Sequence, residues 1–446
     1  MRAVSRDLLR GACLCKRLSQ QSYCLRGEVT VMKRYVIVGN GIAAAGCIEG
    51  IRKTDKNTPI TVISGENYPV YCRPLISYYL QGRTSLEKMQ YREDTFYRNN
   101  GCEVVYGETA DRIDPAEHTV LLSNGETLPY DKLLIATGAS PFLPHFDGIE
   151  TVTQRFSFLT LDDTLALEKA ICETSKVLIV GAGLIGLKCA EGLKDKVGQI
   201  TVCDLADNVL SSILDDDTAP IVQAHLEQNG VEFLMGDSVN SFHENTAVMQ
   251  SSRQVEFDIL VTAVGVRPNI SLIADIGGEV NRGVVVNTKM ETSIPDVFAA
   301  GDCSEGYDLS IGKNRVLALL PNAYIGGFTA GVNMADGSRD FDNAIPMNSI
   351  GFMGLHIMTA GSYAAEKDGG TVYSKMLSDS AKKFFVKEGK LKGYILIGDI
   401  LGGGIYTSLI REKTPLDTLD FDSLTENASL FAFPCETRRK KLGSVV

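Results

Sequence analysis

The sequence predicts an α/β protein with two doubly wound, nucleotide-binding units and a small α+β unit at its C-terminal end. Three observations predict this fold. Two strand–glycine turn–helix units recur, each opened by a continuous apolar run of the kind seen in strands buried on both faces of a parallel sheet. Each unit is followed by a further strand that ends near an acidic residue. The C-terminal stretch lacks such a unit and carries a hairpin pattern instead.

The first unit opens with a strand at residues 33–38, turns through Gly39-Asn40-Gly41-Ile42-Ala43-Ala44, and continues as a small-residue helix through Cys47 and Ile48 to a strand at 60–63. The second has a strand at 176–180, the turn Gly181-Ala182-Gly183-Leu184-Ile185-Gly186, a helix through Ala190 and Leu193, and a strand at 200–203. In such a turn the first glycine permits the tight bend and the second lets the backbone approach a pyrophosphate. The third small residue allows helix and strand to pack closely, while the helix N-terminus faces the anion. A single glycine-rich turn is weak evidence, but two in strand–helix context, each with an acid downstream, are specific. In the second unit the acid is Asp204, near the expected spacing of about 20 residues. In the first it is Glu66, although Ser64 stands nearer the strand end.

Three later segments fit the same scheme. Residues 133–139 form an apolar strand that breaks at Ala136-Thr137-Gly138, and residues 260–269 repeat the design with Val264-Gly265. Residues 297–302 deliver Gly301-Asp302, a carboxylate able to hold a polyol chain through charge-assisted hydrogen bonds. The alternative is a plain Gly-Asp turn. Further on, 383–387 and 391–397 read as strands flanking the turn Glu388-Gly389-Lys390.

The 446 residues are too many for one core and suit about three domains. A formal charge of −11 argues against nucleic acid as a partner, and no apolar run reaches the roughly 18 residues of a membrane span. Eleven cysteines without paired CxxC spacing read as reduced thiols of a cytoplasmic protein. Residues 1–31 differ from the rest, with a net charge of +4 against −15 for the remainder. They read as a start assigned upstream of Met32, with a transit peptide and a metal site on Cys13, Cys15 and Cys24 as alternatives. They are expected to be dispensable.

In these motifs and their order, residues 32–410 resemble the FAD-dependent pyridine nucleotide–disulfide oxidoreductases, and most of all their rubredoxin-reductase, NADH-oxidase and nitrite-reductase-like branch. The resemblance implies FAD on Gly39, Gly41, Ile42, Ala43 and Ala44, with Glu66 at its ribose. It adds the flavin-contacting segment Arg73-Pro74, the return loop Ala136-Thr137-Gly138, and Gly301-Asp302. It places NAD(H) on Gly181, Gly183, Leu184, Ile185, Gly186 and Asp204, with Val264-Gly265 at its edge. NADP(H) is disfavoured because Leu205 and Ala206 follow Asp204 where an arginine would serve a 2′-phosphate, although Lys194 and Lys196 are within reach. The implied organisation has a leader at 1–31, an FAD domain at 32–147 and 277–343, an inserted NAD(P) domain at 148–276, and a C-terminal interface domain at 344–446 that forms homodimers.

The departures from the family carry information too. No Cys-x4-Cys pair follows Gly39, and Cys72 precedes Arg73-Pro74 rather than standing where a single flavin-side thiol belongs, so a packing role is expected for it. Lys188 replaces a family glutamate after the second glycine turn. It is either a solvated helix lysine or an electrostatic partner of reduced flavin, and is the candidate catalytic residue. The expected activity passes hydride from NADH to flavin and electrons onward to a rubredoxin- or ferredoxin-like protein. An NADH oxidase or peroxidase, and a non-catalytic redox sensor, are the alternatives. Lys382, Lys383, Lys387, Lys390 and Lys392 are expected to form a basic docking patch on the C-terminal hairpin.

Overall fold

The computed structural model describes residues 33–364 and 369–443, so the expectations for residues 1–31 lie outside the described residues. The apolar runs build two five-stranded parallel sheets of one design. The first has the order Val297–Ala299, Lys132–Ile135, Tyr35–Val38, Ile60–Ser64, Cys102–Tyr106. The second has the order Val231–Met235, Gln199–Asp204, Lys176–Val180, Ile259–Thr262, Arg155–Phe156. In each the strand before the glycine turn is central and buried along almost its whole length, as a parallel sheet covered on both faces requires.

The five strands of the second sheet lie between residues 155 and 262, whereas the first sheet takes Val297–Ala299 from beyond them and its other strands from before. The chain therefore leaves one sheet, completes the other and returns. The two crossings pair with each other as an antiparallel ribbon, Ala139–Pro141 with Val266–Pro268. On the first unit, helix Ile42–Thr54 packs against helix Leu320–Met334 with their backbones nearly touching. A Cβ on Gly327 would lie 2.0 Å from the Ala43 carbonyl oxygen, and one on Gly331 would lie 2.1 Å from that of Cys47.

The C-terminal unit is a five-stranded antiparallel sheet in the order Met347–Phe352, Leu355–Gly361, Lys390–Ile397, Ala381–Lys387, Thr371–Met376. Its hairpin turns at Glu388 and Gly389, both with positive φ, as a tight two-residue hairpin demands. Neither face of strand Ala381–Lys387 is free. Ala381 and Phe385 join the core of the second parallel sheet, beside Val177 and Ile179. Phe384 and Val386 pack with Tyr406 and Leu424 on the other side.

Strand alternation puts Lys383 on the face of Ala381 and Phe385, where it is 2% exposed. The expected docking patch therefore fails at its centre. Lys383 is bound to Asp215 and Asp217, and Lys382 on the opposite face pairs with Asp399. Among the described residues, no helix is long and apolar enough to cross a membrane.

Candidate functional site

The two glycine turns are built alike. Gly39 has φ 108° and Gly181 φ 117°, and a Cβ on either would lie 2.1 Å from the Ala136 oxygen or 2.3 Å from the Ala263 oxygen. Only glycine satisfies both constraints. Gly41 and Gly183 cap helices Ile42–Thr54 and Leu184–Leu193 without any side-chain cap. A Cβ on either would meet no atom within 4 Å. Each turn thus leaves open space in front of unpaired helix N–H groups, as a pyrophosphate needs. The third position is closed: a Cβ on Gly186 would fall 1.9 Å from the Gly181 oxygen, and its counterpart Ala44 is fully buried. Ala43 is buried, while Ile42, Leu184 and Ile185 flank the two openings half-buried.

Around the first turn, Ser64 is 1% exposed and its hydroxyl donates to the Glu66 carbonyl oxygen. Glu66 is therefore the acid available at that strand end. Its carboxylate accepts from Arg73 Nη2 at 2.6 Å and from the Tyr71 hydroxyl at 2.7 Å. Pro74 sits in the first turn of the short 3-10 helix Arg73–Leu75, where a missing N–H costs nothing. Burial holds the Asp302 carboxyl above its ordinary range, and the neighbouring Arg73 only partly offsets this. Among the described residues no group donates a hydrogen bond to Asp302, so its acceptors, next to the left-handed Gly301, are open to a polyol. The residues fit FAD.

The second turn is held by its own acid. Asp204 Oδ2 accepts the Ala182 N–H at 2.7 Å and Oδ1 accepts that of Ala206 at 2.9 Å. Leu205 beside it is 64% exposed, while Lys194 and Lys196 are drawn off to Asn229 and Glu168. With both lysines held elsewhere and an acid at the strand end, the residues fit NAD(H). The two return loops are bonded together: Thr137 Oγ1 donates to the Asn269 carbonyl oxygen at 2.9 Å. Asn269 Nδ2 returns to the Thr137 oxygen at 2.8 Å, and its N–H donates to Gly138. Val264-Gly265 leads into this junction, where Gly265 accepts from the Phe142 N–H.

Lys188 is not solvated. Its ammonium pairs with the buried Glu191, donates to the Gly351 oxygen at 2.9 Å, and lies over the rings of Tyr78 and Phe352. The positive charge is answered on the spot. Cys72 is half-buried, and burial pushes its thiol up from the ordinary value. Sequence reasoning did not reach Tyr71, which accepts the Leu161 N–H, or Arg73's bond to the Leu159 oxygen. Both tie the flavin-side loop to the second unit. Their partners stand about 90 residues away in sequence, and no local signal marks them.

Comparison with known proteins agrees with this fold. The protein-family model described as pyridine nucleotide-disulphide oxidoreductase matches residues 33–327. The epsilon subunit of NADH-dependent phenylglyoxylate dehydrogenase from Aromatoleum evansii is 30% identical, over 86% of this chain and 93% of that subunit. NADH-rubredoxin oxidoreductase from Clostridium acetobutylicum is 28% identical, over 89% of this chain and all of that protein. Among solved structures, putidaredoxin reductase in its covalent complex with putidaredoxin superimposes with a TM-score of 0.81 at 20% identity, covering 89% of this chain and 96% of that one.

Proposed function

The chain belongs to the pyridine nucleotide-disulphide oxidoreductase family, whose members are FAD-dependent NAD(P)H oxidoreductases, and we propose that it takes hydride from NADH and passes the electrons to a small rubredoxin- or ferredoxin-like protein. The observation that carries this reading is the pair of open glycine cradles whose return loops are joined through Asn269. That junction ties together the two loops that follow the cradles. The similarity to a rubredoxin oxidoreductase along its full length supports the choice of acceptor.

In this reading, the backbone N–H groups behind Gly41 and Gly183 hold the two pyrophosphates. Asp302 and Glu66 hold FAD hydroxyls, and Asp204 holds the adenosine ribose of NADH. Bound FAD supplies a two-electron acceptor that can release electrons singly. No side chain is asked to move a proton in the hydride step, and Lys188, neutralised by Glu191, serves the joint between elements. The described cysteines are all free, which supports outflow without a disulfide relay and a reducing compartment, the cytoplasm. A homodimer through residues 344–446 completes the proposal, with exposed Leu401 and Phe431 as apolar surface for it.

The test is anaerobic mixing of the FAD-loaded protein with NADH while flavin absorbance is followed. Oxidised rubredoxin, an iron–sulfur ferredoxin, or oxygen is then added. Rapid bleaching and carrier-dependent recovery are expected. Recovery fastest with oxygen would make it an oxidase, and no bleaching would make it a non-catalytic sensor.

A further inference from the structure

Lys383 belongs to the C-terminal sheet, yet its ammonium is spent on the second nucleotide unit. It is almost fully buried and lies 2.6 Å from Asp215 Oδ2 and 2.7 Å from Asp217 Oδ2. Burying a lysine this deeply is unfavourable unless carboxylates meet it. The two aspartates close the segment that begins at Asp204. Along that segment, the Thr218 N–H donates to Asp215 Oδ1 at 3.0 Å, and Ile213 and Leu214 donate back to the Leu210 oxygen.

Leu210, held at φ 54°, donates its own N–H to the Ala182 carbonyl oxygen at 3.0 Å. Ala182 is the residue between Gly181 and Gly183. Its N–H is gripped by Asp204 at one end of the segment and its carbonyl by Leu210 farther along. The segment is thus a strap over the glycine turn, fixed at one end by the strand, along its middle by the buried Val209, Leu210, Ile213 and Leu214, and at its far end by helix Ala219–Gln228 and by Lys383.

We infer that Lys383 is a positioning residue for the NADH site, acting through Asp215 and the 205–218 strap on the glycine turn at Ala182. The inference rests on the proposed NADH site and assigns the C-terminal sheet a share in nucleotide affinity. Without Lys383 the carboxylate end of the strap is left without its partner and shifts, and with it the Leu210 contact to the peptide between the two glycines. Binding of NADH weakens, while FAD retention and the step after binding do not change.

The experiment compares Lys383→Met and Lys383→Arg in the full, FAD-loaded chain, with ferricyanide as acceptor. For Lys383→Met the KM for NADH should rise about tenfold with kcat and FAD content within about twofold, the pattern of lost ground-state binding. Lys383→Arg, which keeps the charge, should restore most of the affinity. The triple variant Lys383→Met with Asp215→Asn and Asp217→Asn removes the stranded carboxylates and should still show the raised KM, because the anchor and not stray charge is responsible. An unmoved KM in Lys383→Met or in the triple variant, with or without a lowered melting temperature, overturns the inference. Gly183→Ala is the control for the site itself. If it raises the KM and the Lys383 variants do not, the inference alone falls; if it does not, the NADH site is elsewhere.

Discussion

Gly183→Ala separates nucleotide binding from folding, because the protein itself has room for the added methyl. Gly183 has φ −82° and ψ −173°, ordinary angles for any L-residue. No atom lies within 4 Å of its ideal Cβ. The methyl therefore meets no clash, and the gain of about 0.4–1 kcal/mol from reduced freedom of the unfolded chain is offset by the poorer N-cap that alanine makes, leaving stability about unchanged. Gly186→Ala cannot serve, since its Cβ would sit 1.9 Å from the Gly181 oxygen. With NADH bound, the methyl at residue 183 occupies the space through which the pyrophosphate reaches the helix N–H groups. Losing one charge-assisted hydrogen bond costs about 1.5–3 kcal/mol, or roughly 10- to 150-fold in affinity. The assay is the KM for NADH with an artificial acceptor, alongside a melting curve and the FAD content. Unchanged melting and FAD with a KM raised at least about tenfold is expected. A KM within about twofold of the parent would refute the cradle reading.

Three further outcomes follow from the same geometry. NADH should exceed NADPH in kcat/KM by at least about tenfold; Asp204→Asn, which faces an amide toward one of two backbone N–H groups now held by the carboxylate, should narrow that gap chiefly by raising the NADH KM, and equal use by the parent protein would count against Asp204. Cys72→Ser should leave turnover within a few-fold, since burial keeps the thiol protonated at neutral pH; a loss near a hundredfold at normal FAD content would make it a redox centre after all. Burial, which alone would lower Lys383 and raise Asp215, is outweighed by their mutual pairing, so the lysine lies above and the aspartate below its ordinary value. The lysine's contribution is then present below its unfolded pKa and lost only as pH rises through the higher folded one. The aspartate's is present above its unfolded value and lost as pH falls through the lower folded one. The melting difference between parent and Lys383→Met should be flat from about pH 5 to about 9 and close in stronger acid; a difference that widens in acid would refute the pairing.

The two glycine turns were legible in the sequence because their geometry is local. Gly39, Gly41 and Ala44, like Gly181, Gly183 and Gly186, answer demands made within one turn, and Asp204 follows at a spacing that one βαβ unit dictates. The same locality explains what was missed. Strand 381–387 reads Ala-Lys-Lys-Phe-Phe-Val-Lys, which has no clean alternation, because both of its faces meet a core. From such a run nothing tells which lysine turns inward, and the sequence alone puts Lys383 on the surface with its neighbours. Its carboxylates, Asp215 and Asp217, stand more than 160 residues earlier, and Glu191's grip on the Met353 N–H spans a similar separation. Against the family pattern Lys188 stands in place of a glutamate. Its actual partner, one helical turn on at Glu191, was available from i, i+3 spacing alone.

The shared core of the second parallel sheet and the C-terminal sheet bears on how this chain can be taken apart. Chain order suggests a detachable appendage, but Phe352, Ile357, Phe385 and Ile395 interleave with Leu187, Val202 and Val222 in one apolar cluster. Each of these side chains contributes about 1.5–3 kcal/mol through burial, so neither sheet retains its native wall without the other. The two sheets should exchange amide hydrogens as one cooperative block. A chimaera grafting a foreign C-terminal unit onto this nucleotide unit would inherit a mismatched core as well as a new surface. Recombination that respects the fold must carry both pieces together, although strand Val297–Ala299 of the first sheet lies between them in the chain.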